Sequence, residues 1–453
     1  KDLIGPNLVC WSTHAFVKLP HDERQVAWHQ DAYYWPLTPA RTVSVWLAVD
    51  DADRGNACMQ FVTGSHRLGK IPHRLTRDEE KNVLRVTVDG VETYGRIADV
   101  ALRAGTDLAV NSANVESLDQ DLSLVRERPI ETVFIGGGTP SLMSGAFYHR
   151  LFERLRERLT FSPEAEITLE ANPGTLETGR FESFREAGIN RLSIGVQSFN
   201  NGHLQALGRI HDASAAVRAA TQARAAGFDN LNLDIMHALP GQSQAQALSD
   251  LEQAIALQPT HLSWYELTIE PNTVFYRSPP QQPDGDSMAD TEEAGFALLA
   301  RHDYHRYEVS AFARPGLECR HNRNYWEFGD YLGIGAGAHS KLTKAADNAI
   351  LRFQKTRKPE DYLADPAQSR RQLQPVTGAD RSFEALLNGL RLTGGISLQV
   401  IADRTGVNTA EWEGLLGDLQ YRGLIAMEQG HIKCTRTGLQ HLNGVLETLA
   451  NTL

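Results

Sequence analysis

The stretch that decides the fold of this chain is ETVFIGGGTPSLM (131–143). An apolar, β-rich run, ETVFIGG (131–137), passes directly into a glycine turn, and LFERLRERL (151–159) then has the apolar spacing of a helix. Glycines in such a turn let backbone N–H groups approach a carboxylate or a phosphate, and the following helix adds its dipole. A tight strand-to-helix turn also needs glycine, so the turn by itself fits a ligand site and a purely structural role equally well.

The same alternation of strand and helix recurs through the middle of the chain. Four more β-rich runs follow: AEITLEANP (165–173), NRLSIGVQSF (190–199), NLNLDIMHALP (230–240) and HLSWYELTIEP (261–271). Stretches with helical spacing separate them: RFESFREAG (180–188), AAVRAATQARAAG (215–227) and ALSDLEQAIAL (247–257). This rhythm predicts an α/β fold with a parallel sheet, closed into a full or partial (β/α) barrel over residues 115–345.

Polar side chains lie at or near the ends of these predicted strands. Glu170, Gln197, Asp234 and Glu266 close the second to the fifth run, and Arg209 follows in a loop. The C-terminal strand ends of a βα barrel surround one mouth, where active sites are built. Polar residues also simply begin loops, but their presence in otherwise nearly apolar strands favours a site, in which Arg209 could pair with a carboxylate.

Residues 1–110 have a different pattern, with short apolar runs between turn signals, which predicts an all-β piece. In WHQDAYYWPL (28–37), His29 and Asp31 alternate onto one face of a strand. An imidazole and a carboxylate so placed are two of the three ligands of a non-heme Fe(II) facial triad. Spacing alone favours a simpler interpretation, a His and an Asp on a solvated strand.

Two further strings, RTVSVWLAVDD (41–51) and CMQFVTGSHRLG (58–69), extend this pattern. With them, residues 1–108 resemble the phytanoyl-CoA dioxygenase family, Fe(II)/2-oxoglutarate oxygenases on a double-stranded β-helix. The resemblance implies that His29 and Asp31 are iron ligands.

The rest of that family's site is missing from the resemblance. Its second His and the Arg that binds 2-oxoglutarate lie in later strands, whereas the resemblance fades at LRAGTDLAV (102–110). His66 and His73 follow nearby, but the family pattern places neither at the ligand position. We therefore expect a vestigial Fe(II) pair and no oxygenase activity.

From about Val115 to the C-terminus, the chain carries a second ordered set of motifs: FIGGGTPSLM, LEANPGT, RLSIGVQSFN, LDIMHALPGQ, YELTIEPNT, HNRNYW and YLGIGAGAHS. These closely resemble the HemW-type heme chaperones, and less closely the oxygen-independent coproporphyrinogen III oxidases. Both are radical S-adenosylmethionine (SAM) proteins on a partial (β/α) barrel. The resemblance implies two groups of residues around S-adenosylmethionine: Gly137, Gly138 and Thr139 at its methionine end, and Glu170, Gln197, Arg209 and Asp234 around its amino group, ribose and neighbouring positions.

The cluster motif of those proteins is absent. They carry a C-x3-C-x2-C loop after the first strand, and its three thiolates bind a [4Fe–4S] cluster. Here the four cysteines are Cys10, Cys58, Cys319 and Cys434, and no three have that spacing. The dioxygenase-like segment stands where the first strand and its loop belong, so the chain looks like two truncated genes joined near residues 109–115. We expect no radical chemistry.

The string HNRNYW (321–326) places an imidazole near two aromatic rings. Such a set can ligate heme iron and pack against a porphyrin, although the residues alone favour a structural loop. By resemblance the string marks the chaperones rather than the oxidases. It implies His321, Tyr325 and Trp326 as heme-binding residues on a loop at the barrel mouth, with Cys319 as a candidate additional ligand.

A linker is predicted at 346–375, followed by helices around the hairpin LIAMEQGHIKC (424–434) in residues 376–453. This is a winged-helix-like pattern, with the hairpin turn near Gln429–Gly430. Winged helices often bind DNA, but basic residues do not outnumber acidic ones here and the whole chain has a net charge of -11. We expect no nucleic-acid partner.

Composition narrows the function further. The chain is 22% charged and 41% hydrophobic, and it has no apolar run long enough to span a membrane. Four cysteines in 453 residues predict a reducing compartment, taken here as the cytoplasm. The resulting hypothesis is a heme chaperone-like protein that binds heme and delivers it to an acceptor protein, without radical catalysis. The alternatives are a coproporphyrinogen oxidase-like enzyme, an Fe(II)/2-oxoglutarate dioxygenase and a non-functional chimera.

Overall fold

The computed structural model divides the chain into two compact units, Lys1–Ala109 and Val110–Leu453. The residues it describes are 26–28, 30, 59–63, 65, 68, 71–80, 86–100, 105–125, 128–173, 180–271, 273–344 and 347–452. None of the helices in these ranges is both long and apolar enough to cross a membrane.

The first unit contains two short antiparallel strand pairs. β1 (Met59–Val62) pairs with β4 (Ile97–Val100), and β2 (Arg74–Leu75) pairs with β3 (Val86–Thr87). A small apolar cluster lies beside them, formed by Ile71, Val88 and Val91 with Trp28, Val62 and Tyr94. Antiparallel pairing agrees with the all-β pattern of this part of the sequence.

The second unit is built on a curled seven-stranded sheet, which confirms the predicted partial barrel. Its strands are β5 (Ile130–Ile135), β6 (Phe161–Ala171), β7 (Arg191–Gln197), β8 (Asn230–His237), β9 (His261–Glu266), β10 (His305–Arg306) and β11 (Ala311–Ala313). Their order is β10-β11-β9-β8-β7-β6-β5. The first five in sequence are parallel, as predicted, and the last two turn back antiparallel at one edge.

Helices cover the outer face of this sheet. They are α1 (Gly105–Asp119), α2 (Gly145–Arg156), α3 (Arg180–Glu186), α4 (Asn201–Ala206), α5 (Ala213–Ala225), α6 (Gln244–Ala256), α7 (Val274–Arg277) and α8 (Gly285–Arg301). On β7, Leu192, Ile194 and Val196 are fully buried in the core with these helices. Because side chains alternate along a strand, Ser193 and Gln197 face the inner side of the sheet.

Residues 346–375 do not form the predicted linker. After α9 (Arg320–Trp326), the chain forms β12 (His339–Thr343), β13 (Ile350–Lys355), α10 (Pro359–Ala364) and β14 (Arg370–Pro375), and the three strands make an antiparallel sheet. The segment is tied to the rest of the unit by backbone pairing of its strands and by a buried ion pair. Lys355 Nζ lies 2.5 Å from Asp121 Oδ2, and neither side chain is exposed.

The C-terminal part has the predicted winged-helix-like arrangement. Its elements are α11 (Gly378–Gly389), β15 (Ile396–Ser397), α12 (Leu398–Thr405), α13 (Glu413–Tyr421), β16 (Ile425–Glu428), β17 (His431–Cys434), α14 (Arg436–Gln440) and α15 (Leu442–Thr452). Strands β16 and β17 form a hairpin whose two turn residues, Gln429 and Gly430, have φ of 51° and 77°. Two left-handed residues are the signature of a tight type I′ turn, so the predicted turn is confirmed.

Candidate functional site

The glycine turn after β5 forms an open cradle. Gly137 and Gly138 have φ of +83° and +61°, and an added Cβ at either would meet nothing within 4 Å. Gly136 is needed for a different reason, because a Cβ there would lie 2.9 Å from Glu170 Oε2. The Gly137 N–H donates to the same carboxylate at 3.2 Å. The glycine turn therefore contacts Glu170 on one side, and on the other side the backbone of Gly137 and Gly138 is accessible to a ligand.

Thr139 and the two inner carboxylates extend the cradle. Asn172 Nδ2 donates to Thr139 Oγ1 at 3.3 Å. Burial raises the pKa of Glu170, and the neighbouring Asp234 raises it further. Burial also raises the pKa of Asp234, although that carboxylate accepts a hydrogen bond from Ser193 Oγ at 2.9 Å. Two nearby carboxylates in a partly desolvated site favour a cationic ligand group between them.

Gln197 is aimed into the site by an irregularity of β7. The register with β8 shifts between Gly195 and Gln197, and Gln197 has φ of +63°. The chain beyond it is fixed, because Asp250 accepts from Ser198 Oγ and from the Phe199 N–H, both at 2.7 Å. Gln197 is buried and its Oε1 has no hydrogen-bond partner among the described residues. A buried acceptor held in this way is suited to a donor from a ligand.

At the end of β9, Tyr265 rather than Glu266 faces the inner side of the sheet. Leu262 and Trp264 are buried in the outer core, so alternation turns Tyr265 inward and Glu266 outward. Glu266 is exposed and lies near Glu292 on α8, whose pKa is raised mainly by burial and further by the charge of Glu266. The sequence predicts Glu266 because it is the charged residue at the end of the strand. The alternation of inward and outward side chains along β9 is the signal that identifies Tyr265.

Tyr265 shows which predicted residues come together. Its pKa is raised to about 12 by burial and by Asp234, with Glu170 adding to the effect. A hydrogen bond with Gln197 and the nearby charge of Arg209 oppose that shift. The predicted residues of strands β6, β7 and β8 and of the Arg209 loop thus converge on one phenol at the C-terminal strand ends.

His321 lies on a helix inside the barrel, not on a loop at its mouth. It belongs to α9, and its Nδ1 is 2.8 Å from Thr132 Oγ1 on β5. Its ring stacks on Phe134 at a centroid distance of 5.3 Å. Its backbone N–H donates to Glu166 at 3.2 Å, and Glu166 is the register partner of Thr132 across β5 and β6. Two adjacent strands therefore fix the backbone and the ring of one histidine.

The two predicted aromatic neighbours of His321 separate. Tyr325, one helical turn later, meets the imidazole edge-on at 5.0 Å. Trp326 packs against the C-terminal core instead, with the Arg391 guanidinium 4.6 Å from its ring centroid. Residues four apart on a helix share a face and residues five apart do not, so the expectation of two rings beside His321 holds only for Tyr325.

The imidazole of His321 is set up as a neutral ligand. Burial lowers the pKa of His321 to about 4. Its Nε2 has no hydrogen bond to any described residue and is not among the buried unpartnered atoms. Cys319 is engaged elsewhere, because its Sγ donates to Glu166 at 3.5 Å and caps the first turn of α9 by accepting from the Asn322 N–H. Cys319 is therefore not a free second ligand.

The predicted Fe(II) pair, His29 and Asp31, lies outside the described residues. Gln30 between them is described, and its N–H donates to His73 Nε2 at 3.2 Å. Since Nε2 accepts, the proton is on Nδ1, which donates to the Ile71 carbonyl at 2.8 Å. Both ring nitrogens of His73 are thus engaged in hydrogen bonds with the backbone of the first unit.

Among the described residues, the cysteines do not form a set that could hold an iron–sulfur cluster. Cys10 and Cys58 lie outside the described ranges, while Cys319 and Cys434 are both buried and belong to different parts of the fold. Within the described ranges, no three His, Cys, Asp or Glu side chains are grouped so as to hold a metal.

Comparison with known families divides the chain in the same way as its sequence. Residues 1–109 match the phytanoyl-CoA dioxygenase (PhyH) model, residues 106–254 match the radical SAM superfamily model and residues 376–441 match the HemN C-terminal domain model.

Two curated relatives and one solved structure are similar over most of the chain. The heme chaperone HemW of Escherichia coli is 45% identical over 74% of this chain and 87% of its own, and that of Haemophilus influenzae is 43% identical over 71% and 84%. The structure of the Escherichia coli coproporphyrinogen III oxidase HemN, a radical SAM enzyme, aligns with a TM-score of 0.64 at 22% identity over 77% of this chain and 84% of that one. At that identity the alignment supports the fold alone.

Proposed function

Because the chain belongs to the HemW family of heme chaperones in the radical SAM superfamily, we propose that it binds heme and passes it to an acceptor protein. The observation that carries this proposal is the arrangement of His321. One ring nitrogen is held by Thr132 at 2.8 Å, and the other has no protein partner among the described residues. Neutral imidazole with its second nitrogen anchored is the usual form of a heme iron ligand.

The aromatic surroundings of His321 suit a porphyrin. Phe134 lies parallel to the imidazole and Tyr325 lies edge-on to it. Aromatic faces supply the large apolar contact area that a flat macrocycle needs. Delivery to an acceptor requires that the heme dissociates again. A half-buried histidine as the iron ligand suits this better than a fully enclosed one.

The cradle suits S-adenosylmethionine, which we propose as a bound ligand rather than a consumed one. Gly137 and Gly138 would hold the methionine end, Glu170 and Asp234 would attract its positive groups, and the Gln197 Oε1 acceptor would gain a donor. This cofactor supplies radical chemistry only when a cluster donates an electron to it. The chain has no thiolate triplet, so we propose no turnover and no oxidase activity, and we assign the protein to the cytoplasm.

Heme titration followed by the Soret band tests the function. The intact chain should bind heme with a shifted Soret maximum. His321→Ala should weaken binding by more than about tenfold, because the axial ligand is lost. His305→Ala is the matched control, since His305 is an exposed histidine elsewhere in the same unit and should bind heme like the wild type.

The outcomes separate the alternatives. Unchanged heme affinity in His321→Ala would place the iron ligand elsewhere, and His237 and His339 would be the next candidates. No heme binding by the intact chain would remove the chaperone function and leave a non-functional chimera as the best account.

A binding assay with labelled S-adenosylmethionine tests the cradle. Gly138→Ala puts a Cβ on a left-handed residue that faces the proposed ligand and should abolish measurable binding. Gly316→Ala carries the same backbone strain, with φ of +75° and open space around the Cβ, but lies outside the cradle. Equal binding by both variants would contradict the assignment.

A further inference from the structure

A cavity of about 270 Å³ lies directly beside the helix that carries His321. One wall is α9, through Asn322, Tyr325 and Trp326, and the facing wall comes from Lys341, Arg352 and Asn388. Pockets that enclose a drug-sized ligand usually measure about 300–1,000 Å³. This one therefore has room for a side arm of a macrocycle and not for the macrocycle itself.

The lining is rich in donors. Lys341 and Arg352 contribute two cations. Each is paired with a carboxylate, Lys341 with Asp330 at 3.2 Å and Arg352 with Glu384 at 2.6 Å, and neither carboxylate is among the residues that line the cavity. Trp326 lines the cavity, and its Nε1–H is buried without an acceptor among the described residues. An unpartnered buried donor beside two cations requires an acceptor, and an anionic oxygen is the best match.

The cavity adjoins the proposed iron ligand through one side chain. The Tyr325 ring meets the His321 ring at 5.0 Å and also lines the cavity. On α9, Asn322 and Trp326 are turned about 100° and 140° from His321 at about 100° per residue. The cavity is therefore on the adjacent face of the helix, next to the proposed iron ligand and separated from it by the Tyr325 ring.

We infer that this cavity, formed by α9, Lys341, Arg352 and Asn388, binds a carboxylate arm of the tetrapyrrole. The inference rests on the proposed function, since it needs a porphyrin held at His321. Trp326 does not contact the His321 imidazole, so it is not placed to stack on the macrocycle beside that ligand. In this cavity it would instead donate a hydrogen bond from Nε1 to the carboxylate arm.

Comparison of heme with its dimethyl ester tests the inference, since esterification removes the negative charge and leaves the iron unchanged. The intact chain should bind heme at least about tenfold more tightly than the ester, the usual effect of a hydrogen bond to a charged group. Trp326→Phe keeps an aromatic ring and removes the N–H, so it should reduce that ratio. The double variant Arg352→Gln with Glu384→Gln removes one cation without leaving its partner unpaired, and should also reduce the ratio, because Lys341 and the Trp326 N–H alone then face the carboxylate.

Arg422→Gln is the matched control, because Arg422 is a half-exposed arginine at the C-terminal end of α13, paired with Asp418 outside the cavity. It should keep the full ratio. Equal affinity of the intact chain for heme and ester, with His321→Ala still weakening both, would overturn the carboxylate site and leave the chaperone function standing. A ratio that survives in both cavity variants would place the carboxylate elsewhere and would also overturn it. Failure of the intact chain to bind heme at all would overturn the function and this inference with it.

Discussion

Thr132 and Glu166 lie opposite each other on β5 and β6 and hold His321 from two directions. Thr132 Oγ1 meets the ring at Nδ1, and Glu166 accepts from the backbone N–H. A hydrogen bond at one ring nitrogen fixes which nitrogen is left to bind a metal. The strand that precedes the glycine cradle thus also orients the proposed heme ligand, so β5 serves both sites.

Thr132→Val should weaken heme binding by about ten- to a hundredfold, the usual cost of losing a partner of a ligating histidine. Valine keeps the shape and removes the hydroxyl. Thr132→Ser restores the hydroxyl and should recover most of the affinity. The Fe–His stretching band in resonance Raman spectra should move in the valine variant, which a purely structural role would not cause. An unshifted band with normal affinity would show that Thr132 does not orient His321.

His237 provides a test of the buried histidines by pH. It is 2% exposed, packs on Trp264 and has an unpartnered Nδ1 within the described part of the chain. Burial lowers the pKa of His237 to about 4, so the folded state binds fewer protons than the unfolded state below the ordinary value of about 6.5. Stability from this group is complete above that value and is lost as the pH falls toward 4.

Urea denaturation of the wild type and His237→Phe between pH 7 and pH 5 measures this effect. The wild type should lose about 2 kcal/mol more than the variant over that interval, since phenylalanine does not titrate. Parallel pH profiles for the two proteins would show that His237 is already protonated or solvated in the folded state.

The C-terminal end of α1 is held in place by contacts with residues far along the chain. Lys355 on β13 contacts Asp121, just after α1, and also donates to the Ser117 carbonyl at 3.0 Å. The Arg370 backbone N–H on β14 donates to Gln120 Oε1 at 2.9 Å. The three-stranded sheet therefore fixes the end of the helix that leads into β5.

Lys355→Met should destabilise the protein by about 3–5 kcal/mol, because it removes the buried cation of Asp121. Only the partly exposed Arg370, 3.4 Å from Asp121 Oδ1, then remains beside that carboxylate. Asp121→Leu combined with Lys355→Met should recover most of that loss. Arg422→Met removes one member of an exposed pair and should cost less than about 1 kcal/mol. Denaturant unfolding gives all three values, and equal costs for Lys355→Met and Arg422→Met would rule out a buried pair.

Across the whole molecule, a heme-chaperone architecture is present without the cysteine loop of its superfamily. In the described sheet β5 is the terminal strand, and the residues before α1 match a different family. Cluster assembly needs three thiolates on one short loop. The proposed heme site does not include that loop, so the proposal separates heme binding from radical chemistry in this chain.

Anaerobic reconstitution with iron and sulfide should therefore give no charge-transfer absorbance from a cluster and no stoichiometric iron after desalting. A radical SAM enzyme with an intact cysteine loop serves as the positive control. Four irons per monomer, with the EPR signal of a reduced cluster, would contradict the prediction.

The sequence by itself determined the parallel strands, the glycine turn and the winged-helix hairpin, because alternation, helical periodicity and left-handed turn residues are local properties. The charged segment 346–375 could not be identified as a sheet, since its pairing with Asp121 joins residues more than two hundred positions apart. The same limit applies to the site. The strand ends predicted Glu170, Gln197 and Asp234, and the alternation along β9 also points to Tyr265 rather than Glu266. Only the tertiary structure could place His321 against Thr132, because that contact depends on how α9 packs against β5, which is not encoded in the spacing of neighbouring residues.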